Sequence, residues 1–180
     1  MSEGKLRGGV ALGKIFLYYG TGAGKTTNAL GLALRCVGHG LKAVIIQFMK
    51  GRKDIGEYKV MEKLKPYYEI YQFGRRGWVD LRNPSETDKA LAKKALEKAR
   101  EVLKSKPHLL VLDEICLAAY IGLVDVQEVL NLLDEVPEET DVVLTGRYCP
   151  PELVDRADVV NMIVEVKAPR EIYTRIGITH

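Results

Sequence analysis

Residues 15–27, Ile-Phe-Leu-Tyr-Tyr-Gly-Thr-Gly-Ala-Gly-Lys-Thr-Thr, constrain this chain more than any other segment. A continuous apolar run suits a strand buried on both faces. Glycines at alternate positions permit a turn that other residues resist, and they let backbone N–H groups converge on an anion. Residues 27–37 then carry a helical pattern, closed by the glycine signal of Gly38-His39-Gly40. A helix beginning at such a loop adds roughly half a positive charge at its N-terminus. Lys25 contributes a full charge, and the Thr26 hydroxyl suits a magnesium ion. Strand, loop and helix in this order predict a phosphate cradle built from Gly20, Thr21, Gly22, Ala23, Gly24, Lys25, Thr26 and Thr27. The first glycine of the usual motif falls on Tyr19.

The rest of the chain repeats the alternation of strand and helix. Apolar runs occur at 15–19, 43–48, 67–73, 109–112, 142–144 and 159–164. Between them, Ser85 reads as an N-cap, followed by Leu91, Ala95, Ala99, Val102 and Leu103 on one helical face. Asp125 and Glu128 form a second cap signature ahead of Val126, Val129, Leu130 and Leu133. Such alternation predicts an α/β fold with right-handed crossovers and a doubly wound, mostly parallel sheet. Ligands then sit at the carboxyl ends of the strands, where the glycine loop lies.

A chain of 180 residues predicts one domain spanning 1–180, with the glycine-rich segment 1–13 loosely ordered. The 27 basic and 24 acidic residues nearly balance at +3, which argues against nucleic acid as a partner. No apolar run reaches the roughly 18 residues of a membrane span, and the first residues lack a signal-peptide core. Cys36, Cys116 and Cys149 form no Cys-x-x-Cys pair and fit a reducing, cytoplasmic setting as small apolar groups. His39, His108 and His180 show no metal-ligand spacing.

Three further segments carry chemistry. Leu109 to Leu112 run directly into Asp113 and Glu114, placing two carboxylates at a strand's carboxyl end, where a phosphate-loop protein holds or orients magnesium. Arg147 follows the run 142–144 on the same side, suited to a triphosphate or to an ordinary surface turn. Gly74-Arg75-Arg76-Gly77-Trp78 reads either as a lid over a planar or anionic ligand or as a loop tryptophan capping the core. Gln47 and Lys50-Gly51 end the second strand on the ligand side, whereas Asp155, Arg156 and Asp158 read as a solvated face. No Cys–His or Ser–His pair marks a protein nucleophile, leaving water or a bound second substrate in that role.

Taken in order, the glycine loop, Arg35-Cys36-Val37-Gly38-His39-Gly40, Gln47-Phe48-Met49-Lys50-Gly51, Trp78, Val111-Leu112-Asp113-Glu114, Leu144-Thr145-Gly146-Arg147, Ala157-Asp158, Val166-Lys167 and Gly177-Ile178 resemble the bacterial-type ATP:corrinoid adenosyltransferase family. The resemblance runs from Lys14 to the end and implies a P-loop NTPase-like, RecA-like sheet. It implies transfer of the 5′-deoxyadenosyl group of ATP to the Co(I) centre of a reduced corrinoid, with triphosphate leaving, in adenosylcobalamin biosynthesis or salvage. On this analogy Lys25 and the loop amides hold triphosphate. Thr26 and Glu114, with Asp113, hold a magnesium or manganese ion. Trp78 lies against the corrinoid; the residues themselves add Arg147 as a catalytic group at the phosphates and Arg76 on the corrinoid side. The resemblance further implies a homodimer and a reductase or other electron donor. The chain departs from the family at Thr21 and Ala23, at Arg76 in place of a phenylalanine, and in a slightly shorter tail. A RecA-like ATPase or kinase, or a non-catalytic ATP sensor, are the competing readings.

Overall fold

The computed structural model describes residues 13–77, 79–169, 171 and 174–179. Thirteen elements follow one another among them: β1 (Ile15–Tyr19), α1 (Lys25–Gly38), β2 (Ala43–Phe48), α2 (Gly56–Lys59), α3 (Met61–Leu64), β3 (Tyr68–Phe73), α4 (Glu86–Leu103), β4 (Leu109–Asp113), α5 (Ile115–Tyr120), α6 (Val126–Asp134), β5 (Asp141–Gly146), α7 (Pro151–Arg156) and β6 (Val159–Met162).

The six strands form one sheet in the order β3-β2-β4-β5-β1-β6, every neighbouring pair parallel. This α/β arrangement is the RecA-like fold expected from the sequence. The loop strand β1 and the acid strand β4 are separated by β5. Tyr19 pairs with Gly146 and Leu112 with Leu144. Thr145 therefore stands between the glycine loop and the two carboxylates.

Alternation along the strands divides the core. Leu17, Val44, Ile46, Leu110, Leu112, Val142 and Leu144 face α4, α5 and α6, while Ile45, Val111 and Val143 face α1 through Ala29, Ala33 and Cys36. Burial of these side chains, each contributing about 1.5–3 kcal/mol, makes the sheet a rigid platform for the loops at its carboxyl edge.

Several boundaries differ from the sequence expectations. Helix α1 starts at Lys25 rather than Thr27, because the chain leaves the left-handed Gly24 (φ 101°) directly into helix. Strand β6 ends at Met162, not at residue 164, and β3 begins at Tyr68. Helix α5 had no periodic signal: Ile115, Cys116, Leu117, Ala118 and Ala119 are all buried, so no polar face marks the turn. Ser85 does cap α4, and Asp88 completes a reciprocal capping box with it. The Asp125 carboxylate caps α6 by accepting from the Gln127 amide. Asp158 is more than a solvated acid. It accepts from the Ile15 amide at 2.9 Å and from Lys14 Nζ at 3.3 Å, tying the start of β1 to the segment leading into β6. Arg156 pairs with Asp134. Among the described residues no helix is long and apolar enough to cross a membrane.

Candidate active site

The glycine loop lies against the segment that follows β6. A Cβ on Gly20 would come 2.4 Å from the Ile163 carbonyl oxygen, and one on Gly22 would come 2.8 Å from the Val164 carbonyl carbon. Only glycine fits at these two positions. The Gly22 amide donates to the Ile163 oxygen at 2.9 Å, so this N–H faces the protein and not the converging amides expected of the loop. Past Gly24, α1 begins with no side-chain cap, which leaves its first-turn amides open towards the cradle.

Lys25 is buried and donates to the Gly22 carbonyl. Burial pulls its ammonium below the usual lysine range; Glu114 works against that shift and Arg147 adds to it. The next residue, Thr26, donates through Oγ1 to Asp113 Oδ1 at 2.8 Å. The phosphate loop and the acid strand are thus joined directly.

Asp113 is wholly buried and is the hub of the site. Its Oδ1 accepts from Thr26 and, at 2.7 Å, from Thr145. Its Oδ2 accepts from Gln47 Nε2 at 3.0 Å and from Lys50 Nζ at 2.6 Å. Four donors from three segments fill the lone-pair sites of a carboxylate. Burial alone would raise its pKa, but Lys50 and the hydroxyl donors outweigh burial and hold it below the ordinary carboxylate range. Lys50 is shifted oppositely: burial opposes its charge, and Asp113 overrides that and raises it.

Glu114 is placed differently. It occupies left-handed backbone at φ 65°, and its amide donates to Thr145 Oγ1 at 2.8 Å. Its Oε2 is buried with no hydrogen-bond partner among the described residues. Burial, and then the neighbouring Asp113, push its pKa up, with Lys50, Lys25 and Arg147 opposing. Of the two acids, Asp113 is saturated and Glu114 is open.

Arg147 stands exposed just past β5, close enough for its charge to lower both Lys25 and Glu114. It follows Gly146, whose Cβ would meet Cys116 Cβ at 2.7 Å. Cys149, beyond it, neighbours Cys116 in space and, together with burial, pushes the Cys116 thiol up.

A cleft of about 490 Å³ beside Lys50 is lined by Arg52, Glu57, Arg75, Arg76 and Thr179. The adjacent Arg75 and Arg76 do not act alike. Arg75 makes a bidentate pair with Asp88 at 2.9 and 2.8 Å and so fastens its loop to the start of α4. Arg76 is exposed on the cleft. Trp78 lies outside the described residues.

The structure therefore brings Lys25, Thr26, Asp113, Glu114 and Arg147 to one end of the sheet and sets Arg76 on the adjoining cleft. Sequence reasoning missed Thr145, the hydroxyl that joins Asp113 to Glu114. The only signal was a polar residue ending an apolar strand. It marked Gln47 and Lys50 as ligand-side residues without finding their partner.

The family model for ATP:corrinoid adenosyltransferase BtuR/CobO/CobP matches residues 11–180. The chain belongs to that family. A corrinoid adenosyltransferase of Sinorhizobium sp is 36% identical over 160 residues, covering 87% of this chain and 74% of the relative. That of Escherichia coli K12 is 33% identical over 156 residues, covering 86% and 78%. The corrinoid adenosyltransferase CobA of Salmonella typhimurium LT2 is 31% identical over the same length and the same shares. In three dimensions the chain is similar to a KaiC-like protein of Pyrococcus horikoshii OT3, with a TM-score of 0.55 and 20% identity, covering 84% of this chain and 71% of the other. That likeness concerns the fold. As a corrinoid adenosyltransferase family member, the chain is an enzyme whose substrates are ATP and a corrinoid.

The resident metal that such chemistry implies can be tested against the side chains. Among the described residues no group of three His, Cys, Asp or Glu side chains could hold a metal by itself. Magnesium needs no such cage, since it takes one or two protein oxygens and fills its shell with phosphate oxygens and water. The Thr26 hydroxyl and the partnerless Glu114 oxygen are hard oxygen donors of the right kind. The residues fit a magnesium ion that arrives with a polyphosphate.

Proposed function

We propose that this protein transfers the 5′-deoxyadenosyl group of ATP to the Co(I) centre of a reduced corrinoid and releases triphosphate, in the making or salvage of adenosylcobalamin. The observation that carries the reading is the pairing of a saturated Asp113, bound to the phosphate-loop Thr26, with a buried Glu114 oxygen that has no partner. An open carboxylate beside a phosphate loop, in a chain of this family, suits a metal–polyphosphate leaving group.

In this reading Lys25, the first amides of α1 and Arg147 hold the triphosphate. Thr26 and Glu114 hold the metal, and Asp113 fixes Thr26 from behind. Bound magnesium supplies charge neutralisation for the departing phosphates. Arg76 faces the corrinoid, and Trp78 keeps the corrinoid role that the family resemblance implies. The substrate cobalt uses its electron pair to form a Co–C5′ bond. The C5′–O bond breaks, and its electron pair leaves on the triphosphate oxygen. Because the nucleophile belongs to the substrate, the protein needs no nucleophile or base of its own. Its contribution is placement and preorganised positive charge around the leaving group. An external reductant supplies the Co(I) state.

The products decide the matter. With ATP and magnesium alone, the protein is expected to turn over negligibly. Adding cobalamin under strong reduction should yield triphosphate and a light-sensitive adenosylated corrinoid in equal amounts. Steady ADP formation without corrinoid, and no organocobalt product with it, would replace this reading with an ordinary ATPase.

A further inference from the structure

Lys50 is a charged group of the site that the reaction described above does not use. Its Nζ lies 2.6 Å from Asp113 Oδ2 and 3.2 Å from Thr26 Oγ1. It bridges the phosphate-loop hydroxyl and the saturated acid, and so takes up the Thr26 oxygen on which a cation sits in phosphate-loop chemistry.

Its position is built, not incidental. Met49 stands in left-handed backbone at φ 57°, a costly conformation for a long side chain, and its amide bonds the Phe73 carbonyl at 3.0 Å. A Cβ on Gly74 would fall 2.3 Å from the Lys50 amide nitrogen, and one on Gly51 would fall 2.4 Å from the Gly74 carbonyl oxygen. Two glycines thus let the turn after β2 press against the turn after β3, and the strained Met49 folds Lys50 back over Asp113. The Gln72–Gln47 hydrogen bond at 2.9 Å orients the amide that shares Oδ2 with Lys50.

We propose that the Lys50 ammonium is an internal stand-in for the metal. In the nucleotide-free protein it neutralises Asp113 and occupies the cation position beside Thr26. Metal alone then meets an occupied place and a repelling charge. A triphosphate on the loop gives the ammonium a second set of anionic oxygens and lets it swing from Asp113. Metal and nucleotide consequently enter together. This inference rests on the proposed ATP–metal reading of the site and adds to it the order in which the site fills.

The test is titration of the full chain with Mn²⁺, followed by electron paramagnetic resonance, with and without ATP and with no corrinoid present. Wild type is expected to bind Mn²⁺ at least about tenfold more tightly with ATP than without it. Lys50→Met should bind Mn²⁺ without ATP at least about tenfold more tightly than wild type, and Lys50→Arg should behave as wild type. An affinity of Lys50→Met for Mn²⁺ within twofold of wild type, or weaker, overturns the proposal while leaving the product assay untouched. Absence of Mn²⁺ binding by wild type even with ATP overturns the metal reading and this inference together. Should Lys50→Met fail to fold, wild type still decides. The ¹³Cε resonance of Lys50 should shift with magnesium and ATP together and stay in place with magnesium alone. A resonance unmoved by both together overturns the stand-in role.

Discussion

The Thr145 hydroxyl donates to Asp113 at 2.7 Å while accepting the Glu114 amide at 2.8 Å. One oxygen atom on β5 therefore sets the orientation of both acids on β4. Without it, Asp113 would lose a buried donor, and the left-handed turn at Glu114 would lose its anchor. Thr145→Val keeps the shape and removes the oxygen. Leaving a buried polar group unmet costs about 1–3 kcal/mol. Denaturant unfolding should register that loss, and metal-dependent turnover should fall with it. Thr145→Ser should restore both; a valine variant with wild-type stability would mean that the contact is idle.

Lys25 is expected to bind triphosphate and not to support the fold, because among the described residues it donates only to its own loop. A charge-assisted hydrogen bond contributes about 1.5–3 kcal/mol, or roughly 10- to 150-fold in affinity. Calorimetry on Lys25→Ala should show ATP binding weaker by that factor and an unchanged melting temperature. Unaltered ATP affinity would remove Lys25 from the phosphate site.

Glu114 is expected to act through the metal. Glu114→Gln preserves size and removes the charge that favours a divalent cation. Turnover should drop and the magnesium concentration for half-maximal rate should rise about tenfold, consistent with the loss of one carboxylate ligand. A magnesium titration that overlays wild type would leave the buried oxygen without a role.

Arg76 should separate the two substrates. On the cleft and away from the loop, its removal in Arg76→Ala should raise the KM for corrinoid about fivefold, on the order of 1 kcal/mol, with the KM for ATP unchanged. Equal rises in both would place it in the structure of the loop.

Stability should fall in acid through Asp88. The Arg75 pair, and then Ser85, lower its pKa from 3.8 to about 2. A carboxyl depressed in the folded state stabilises above its unfolded value. That contribution should disappear as the pH drops from about 4 towards 2. Thermal melts across this range should show a steeper loss for wild type than for Asp88→Asn, which has no carboxylate to protonate and lacks about 1 kcal/mol of capping energy at neutral pH. Parallel curves would assign the acid limb to other groups.

What the sequence determined by itself was the kind of fold and one end of the site. Apolar runs without alternation require strands covered on both faces, and the glycine loop, Asp113 and Glu114 each follow directly from such a run. Their side of the sheet was therefore legible, because local strand direction alone decides it. Legibility ended where contacts cross between strands. Only the order β3-β2-β4-β5-β1-β6 puts Thr145 between Thr26 and the two acids. Only the packing of Gly74 against Lys50 turns that lysine onto Asp113. It is likewise tertiary packing that saturates Asp113 and leaves a Glu114 oxygen unpaired. Side by side in the chain, the two acids look alike. Their difference lies in which donors reach each one, and those donors come from residues up to 87 positions away.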